Sequence, residues 1–301
     1  TQQFDVLDDK QENLRLELLW TYQTLDEVNE EWLNTLLESK DHRVRAAAVR
    51  VLSEWKGRLN DEAAYLAKLE ELVADEHFRV QVEAVRALVR VNSAEAADIA
   101  MRVFKSPVKD METNLEYGLW TTMRKMKDIW MPELASGKLA FAKNNDAVLY
   151  ALKAIDSGEA VGQLLALYQG DTLTPEQHRE ALNALVNHAD DKSMGDLVST
   201  ILSNEGLNDK QRADHLNHVV NTSKRRNVKP ETDLSALASL ITVRSNGVRN
   251  AAVRAAGQWG IQDLRVPLTE IALSSEQPDW VRSSALESLA NLGGDDSQTL
   301  L

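Results

Sequence analysis

The stretch DHRVRAAAVRVLSEW, residues 41–55, returns at residues 76–90 as EHFRVQVEAVRALVR. Shifted by 36 positions the two superpose, so that Val44, Val49 and Arg50 fall on Val80, Val85 and Arg86. The same grammar reappears at Val248, Arg249, Val253 and Arg254, and again at Val281, Arg282 and Leu286. Followed outward, the five-residue pair occurs at Leu14/Leu19, Val44/Val49, Val80/Val85, Leu115/Trp120, Ala147/Leu152, Gln177/Leu182, Gln211/Leu216, Val248/Val253 and Val281/Leu286. The first members are 30 to 37 residues apart. A period in the thirties with helical spacing inside each unit is the signature of stacked helix pairs.

Amphipathic partners fill the intervals: residues 32–37, 62–73, 95–104, 129–142, 160–168, 193–202, 232–241 and 264–273. In the second of these, Leu66, Leu69, Leu72 and Val73 share one face at intervals of three and four, and Lys68, Glu70 and Glu71 share the other. Asn60-Asp61, Ser157-Gly158, Asn208-Asp209 and Gly293-Gly294 supply turns, and Thr174-Pro175 opens a helix. The nearest approach to a linker is the basic run NTSKRRNVKP, residues 221–230. The expected architecture is therefore all-α: one right-handed α-α superhelix over residues 1–301, of about nine helix pairs, with the first helix of each pair lining a concave face.

Composition agrees. Of 301 residues, 43% are hydrophobic and 27% charged, enough apolar material for a core, while aromatics are 5% and there are only 13 Gly and 6 Pro. The net charge of −13 opposes binding to nucleic acid and to anionic lipid. No apolar run approaches the roughly 18 residues of a membrane span, so no membrane insertion is expected. With no Cys, disulfides, thiolate nucleophiles and Cys-ligated metals are excluded.

An Asp or Asn shortly before Val-Arg, followed by an Ala-rich helix, resembles the HEAT repeat of the short bacterial type. The likeness is strong for the units at Asp41, Asp75, Asn246 and Asp279, and weaker between Asp146 and Val220, where Gln177 and Gln211 stand in place of the aliphatic residue. More narrowly, residues 14–59, 74–88 and 115–134 are similar to the helical region of large secreted dehydrogenase-like proteins known from planctomycetes and their relatives. That resemblance implies an extracytoplasmic scaffold excised from a multidomain redox protein, in keeping with a start at Thr1. A sugar-dehydrogenase-like propeller would precede it and a cytochrome c domain with a CxxCH motif would follow. It lends this chain no haem, because there is no Cys to hold one.

Candidate chemistry is sparse. Among six histidines, His215 and His218 are three apart and could share a helix face as a metal pair, with Asp209 and Asp214 nearby. A solvated helix surface is the simpler reading. His77 follows Glu76 at a helix entry that Asp75 is expected to cap. The His-Glu dipeptides of HEAT-type hydroxylases are absent. Trp20, Trp55, Trp120 and Trp259 lie on or at the ends of inner helices and read as core. Trp32, Trp130 and Trp280 stand beside acidic residues near helix starts and are candidate partner contacts. Arg45, Arg50, Arg86, Arg249 and Arg254 form a ladder expected to pair with acids of neighbouring units. No phosphate loop, nucleophile elbow or dinucleotide fingerprint occurs. The expectation is a non-catalytic scaffold with no cofactor and no metal, contacting proteins or neighbouring domains. The alternatives are a carbohydrate-binding solenoid, or an enzyme with a hidden metal or base-excision site.

Overall fold

The computed structural model describes residues 9–294. Among them the regular structure is helical, and the first member of every five-residue pair lies on an odd-numbered helix. The first unit ends at Ile155. It contains α1 (Asp9–Thr24), α2 (Glu30–Leu37), α3 (His42–Glu54), α4 (Glu62–Val73), α5 (Phe78–Leu88), α6 (Ala94–Ala100), α7 (Thr113–Lys125), α8 (Lys127–Ala135) and α9 (Asn145–Ile155). The second begins at Asp156. It contains α10 (Val161–Gln169), α11 (Pro175–His188), α12 (Asp191–Ser203), α13 (Asp209–Arg226), α14 (Leu237–Ile241), α15 (Asn246–Trp259), α16 (Arg265–Leu273) and α17 (Asp279–Leu292).

Each unit has two layers. In the first, α1, α3, α5, α7 and α9 pack side by side as an inner row, and α2, α4, α6 and α8 cover it. In the second, α11, α13, α15 and α17 form the inner row beneath α10, α12, α14 and α16. This is the α-solenoid arrangement that the period demands: a helix with a single apolar stripe must bury it, and the next pair supplies the surface. Leu19, Val44, Val49, Val80, Val85, Leu115, Ala147, Leu152, Val248, Val253 and Val281 are all buried.

The aliphatic gap at two central units has a local cause. Thr174 accepts from the Gln177 amide nitrogen while the Gln177 side chain accepts from the Thr174 N–H, and Asn208 and Gln211 do the same at α13. Both glutamines are the third residues of capping boxes, so they serve helix starts rather than the core. The basic run also differs from expectation. It is helical through Arg226, because Lys224, Arg225 and Arg226 suit the negative end of the helix dipole, and Asn227 ends α13 in the left-handed conformation.

Close approach decides the end of the second inner row. A Cβ on Gly257 of α15 would lie 2.5 Å from the Ser288 Cα of α17, so only glycine allows the observed spacing. The Ser288 hydroxyl is buried and donates to the Val253 carbonyl at 2.9 Å.

Candidate functional site

The arginine ladder divides into two kinds of structural contact. Arg45, on the first turn of α3, grips the Asp75 carboxylate with Nε and Nη2 at 2.8 and 2.9 Å, and its Nη1 donates to the carbonyls of Ser39 and Lys40. These carbonyls follow α2, so the guanidinium supplies donors that a helix end lacks. The device recurs: Gln81 reaches the Asp75 carbonyl, Arg212 those of Ile201, Leu202 and Asn204, Arg249 those of Ile241 and Val243, and Arg282 that of Ala272. Arg86 meets Glu83 of its own helix, and pairing with an acid of the neighbouring unit holds for Arg45 and Arg50. It fails for Arg249 and Arg254, whose other partners are the side chains of Asn246 and Gln277, and of Asn217 and Asn221. Arg254 thus reaches back to amides of the preceding inner helix, whereas Arg50 reaches forward to the Glu83 carboxylate of the following one.

On the outward side of α3 and α5, Glu83 is buried and accepts from Arg50 Nη2 at 2.6 Å, with Arg86 Nη1 3.7 Å away. Arg90 pairs with Glu54, and Tyr117 stands out from α7 at 64% exposure. At the entry to the same helices the rings of His42 and His77 stack at 3.5 Å. His77 itself caps α5, its Nδ1 accepting from the Arg79 N–H at 3.2 Å, while Asp75 accepts from the His77 N–H. The cap is thus two residues later than the sequence suggests, the Asp75 carboxylate being held by the Arg45 guanidinium.

The tryptophans sort by burial. Trp55 and Trp259 are in the core as expected, Trp120 is half-buried with its ring edge-on to Tyr150, and Trp20 is exposed at 45%. Of the three candidate contacts, Trp130 is fully buried and its indole N–H donates to the Met123 carbonyl at 2.8 Å. It is therefore a core residue: the acidic neighbours that suggested a surface lie on the other side of the helix, with Asp128 exposed. Trp32 is half-buried and spends its N–H on the Arg15 carbonyl. Trp280 stands at the start of α17, 50% exposed.

In the second unit His215 and His218 line a cavity of about 380 Å³ between α11 and α13, with Arg179, Asn183, Lys210 and Asp214. His215 is buried and its Nδ1 is 2.8 Å from the Tyr168 hydroxyl, also buried. Burial, reinforced by the neighbouring His178, pushes the His215 imidazole down to about 4, so it is neutral near pH 7. Burial likewise lowers His218, followed by the Arg225 charge. Among the described residues no group of three or more His, Cys, Asp or Glu side chains could hold a metal ion. His215 makes a structural hydrogen bond, and both histidines form part of the cavity wall.

A pH dependence follows. The unfolded chain binds a proton at His215 near its ordinary value of 6.5, and the folded chain does so only near 4. Between those values the unfolded state holds more protons, so stability falls as pH drops through the window. Thermal midpoints across this range should show a shallower loss for His215→Leu than for the parent. Equal slopes would assign the loss elsewhere.

Among the described residues no helix is long and apolar enough to cross a membrane. No curated protein matches the chain. Among solved structures, Kap121p is similar over 95% of this chain and 36% of its own, at 13% identity and a TM-score of 0.48. Kap121p bound to Nup53p gives 12% identity, 95% and 40% coverage, and 0.41. An engineered protein gives 18% identity, 88% and 97% coverage, and 0.26. The chain thus spans little more than a third of the length of Kap121p. The match that coincides with the repeat grammar is by sequence: residues 29–117, from the N-cap of α2 into α7, fit the family model of HEAT repeats.

Proposed function

We propose that the chain is a non-catalytic scaffold that offers the outward side of its inner helices to protein partners. The observation that carries this reading is the repetition of that side: α3, α5 and α7 each bury one stripe and hold another in solvent, so one kind of surface is presented at successive helices. A compact globule of the same length exposes less such surface per residue.

The narrower context we propose rests on the resemblance in residues 14–59, 74–88 and 115–134. It is an extracytoplasmic protein in which this scaffold lies between a dehydrogenase-like propeller and a cytochrome c domain. Reading the gene on both sides of Thr1 and Leu301 tests the context, with a signal peptide and propeller expected upstream and CxxCH downstream. Their absence would remove it. The scaffold itself is tested by titrating this chain against those separately expressed domains. Saturable binding at micromolar concentration or tighter is expected, and none at all would sink the scaffold reading for these partners. Carbohydrate binding has less behind it, because the exposed tryptophans, Trp20 and Trp280, belong to different units.

A further inference from the structure

The chain is acidic overall, but the charge is sorted by layer. In the first unit α3, α5 and α7 carry seven basic and three acidic side chains, while α2, α4, α6 and α8 carry two basic and nine acidic. The helices α3, α5 and α7 therefore oppose the net charge of −13. Part of this sorting is structural, since Arg45 is buried on Asp75. The rest faces solvent. Arg50 and Arg86 share the single carboxylate of Glu83, which is buried, so two guanidinium groups are oriented by one negative charge and keep outward donors. Arg79 and Arg124 are exposed and form no ion pair among the described residues.

We propose that the outward face of α3, α5 and α7 is a docking surface for an extended acidic segment of a partner protein. The inference rests on the scaffold reading and supplies the chemical class of its partner. Arginines held in place by a buried carboxylate lose little side-chain freedom on binding, and their planar forks match carboxylates two donors at a time. Tyr117, the large side chain left in solvent on α7, adds a flat apolar contact beside them. Adjacent helix axes about 10 Å apart place three helices across about 20 Å, a length that about six extended residues span. Nucleic acid is the other polyanion to consider. The acidic outer row and the total charge repel a long polyanion as it approaches, whereas a short acidic peptide is drawn to the local field.

The probe is a fluorescein-labelled peptide of about ten residues, Asp and Glu around one central Phe, followed by anisotropy with the full chain. The controls are its Asn/Gln counterpart and an oligothymidylate of similar length. Binding of the acidic peptide alone is expected, with affinity falling as salt is raised. The double variant Arg86→Glu, Arg124→Glu should weaken it about tenfold or more. Arg124→Glu alone breaks no ion pair and should weaken it about threefold, while Arg244→Glu, an exposed site in the second unit, should leave it unchanged. Circular dichroism melting verifies that each variant is folded. Tighter binding of oligothymidylate, no binding of the acidic peptide, or equal affinity of parent and charge-reversed variants would each overturn the proposal. Repeating the domain titration with the double variant separates the two readings. Domain binding that survives the reversal leaves the scaffold standing without an acidic site, and peptide binding without domain binding removes the domains as partners while keeping the face.

Discussion

Arg45→Ala is expected to destabilise the first unit by about 3–5 kcal/mol. Its guanidinium makes four hydrogen bonds shorter than 3.2 Å, two to Asp75 and one each to the carbonyls of Ser39 and Lys40, with the side chain about 10% exposed. Truncation leaves the Asp75 carboxylate, equally enclosed, with the His77 N–H in place of a full partner. It also strips donors from two carbonyls after α2, each a separate penalty. A cycle with Asp75→Ala apportions the effect: the double variant should be much less destabilised than the sum of the singles, because an apolar pair has no orphaned charge. Arg45→Lys retains the charge but cannot form the fork, and should recover only part of the loss. Urea denaturation followed by circular dichroism reads all four proteins. A loss under 1 kcal/mol for Arg45→Ala would mean that the pair behaves as an exposed ion pair, and would refute the account of how neighbouring repeats are joined.

The same residue shows what the sequence carries. Val44, Val49 and their equivalents announce the inner helices because the buried stripe keeps its five-residue spacing within each helix while the interval between helices varies from 30 to 37 residues. The period therefore places every inner helix, including those at Gln177 and Gln211, where the aliphatic is missing. The missing aliphatics were legible too: Thr-x-x-Gln and Asn-x-x-Gln before a helix are capping-box spellings. Reading them as weakened core misses that a residue three positions into a helix can serve its end instead of its stripe. Arg249 and Arg254 lie on the expected helices but pair with amides instead of acids: Asn246 apart, those partners lie 28 to 37 residues away, and local spacing cannot distinguish an asparagine that accepts from a glutamate that would. The layer charge that suggests an acidic partner was present in the composition of the helices. Total charge conceals it, because the outer row outweighs the inner.

Trp130 tests whether a tryptophan beside acids belongs to the surface or to the core. Its side chain is fully buried under α7, its N–H is spent on the Met123 carbonyl, and its ring meets Phe141 edge-on at 6.0 Å. Trp130→Ala should cost about 3–5 kcal/mol, because the largest side chain leaves a cavity that helices fixed on both sides cannot close. Trp130→Phe separates volume from hydrogen bond: it fills most of the space yet leaves the Met123 carbonyl without its donor, and should cost about 1–3 kcal/mol. Trp280→Ala, half-exposed at the start of α17, should cost much less than Trp130→Ala. If Trp130→Ala folded with parental stability and Trp280→Ala did not, the assignment of these two residues would be reversed. The expected order also fixes how binding data must be read. A partner lost on substituting Trp130 reports a damaged unit, whereas one lost on substituting Tyr117 or Trp280 reports a contact.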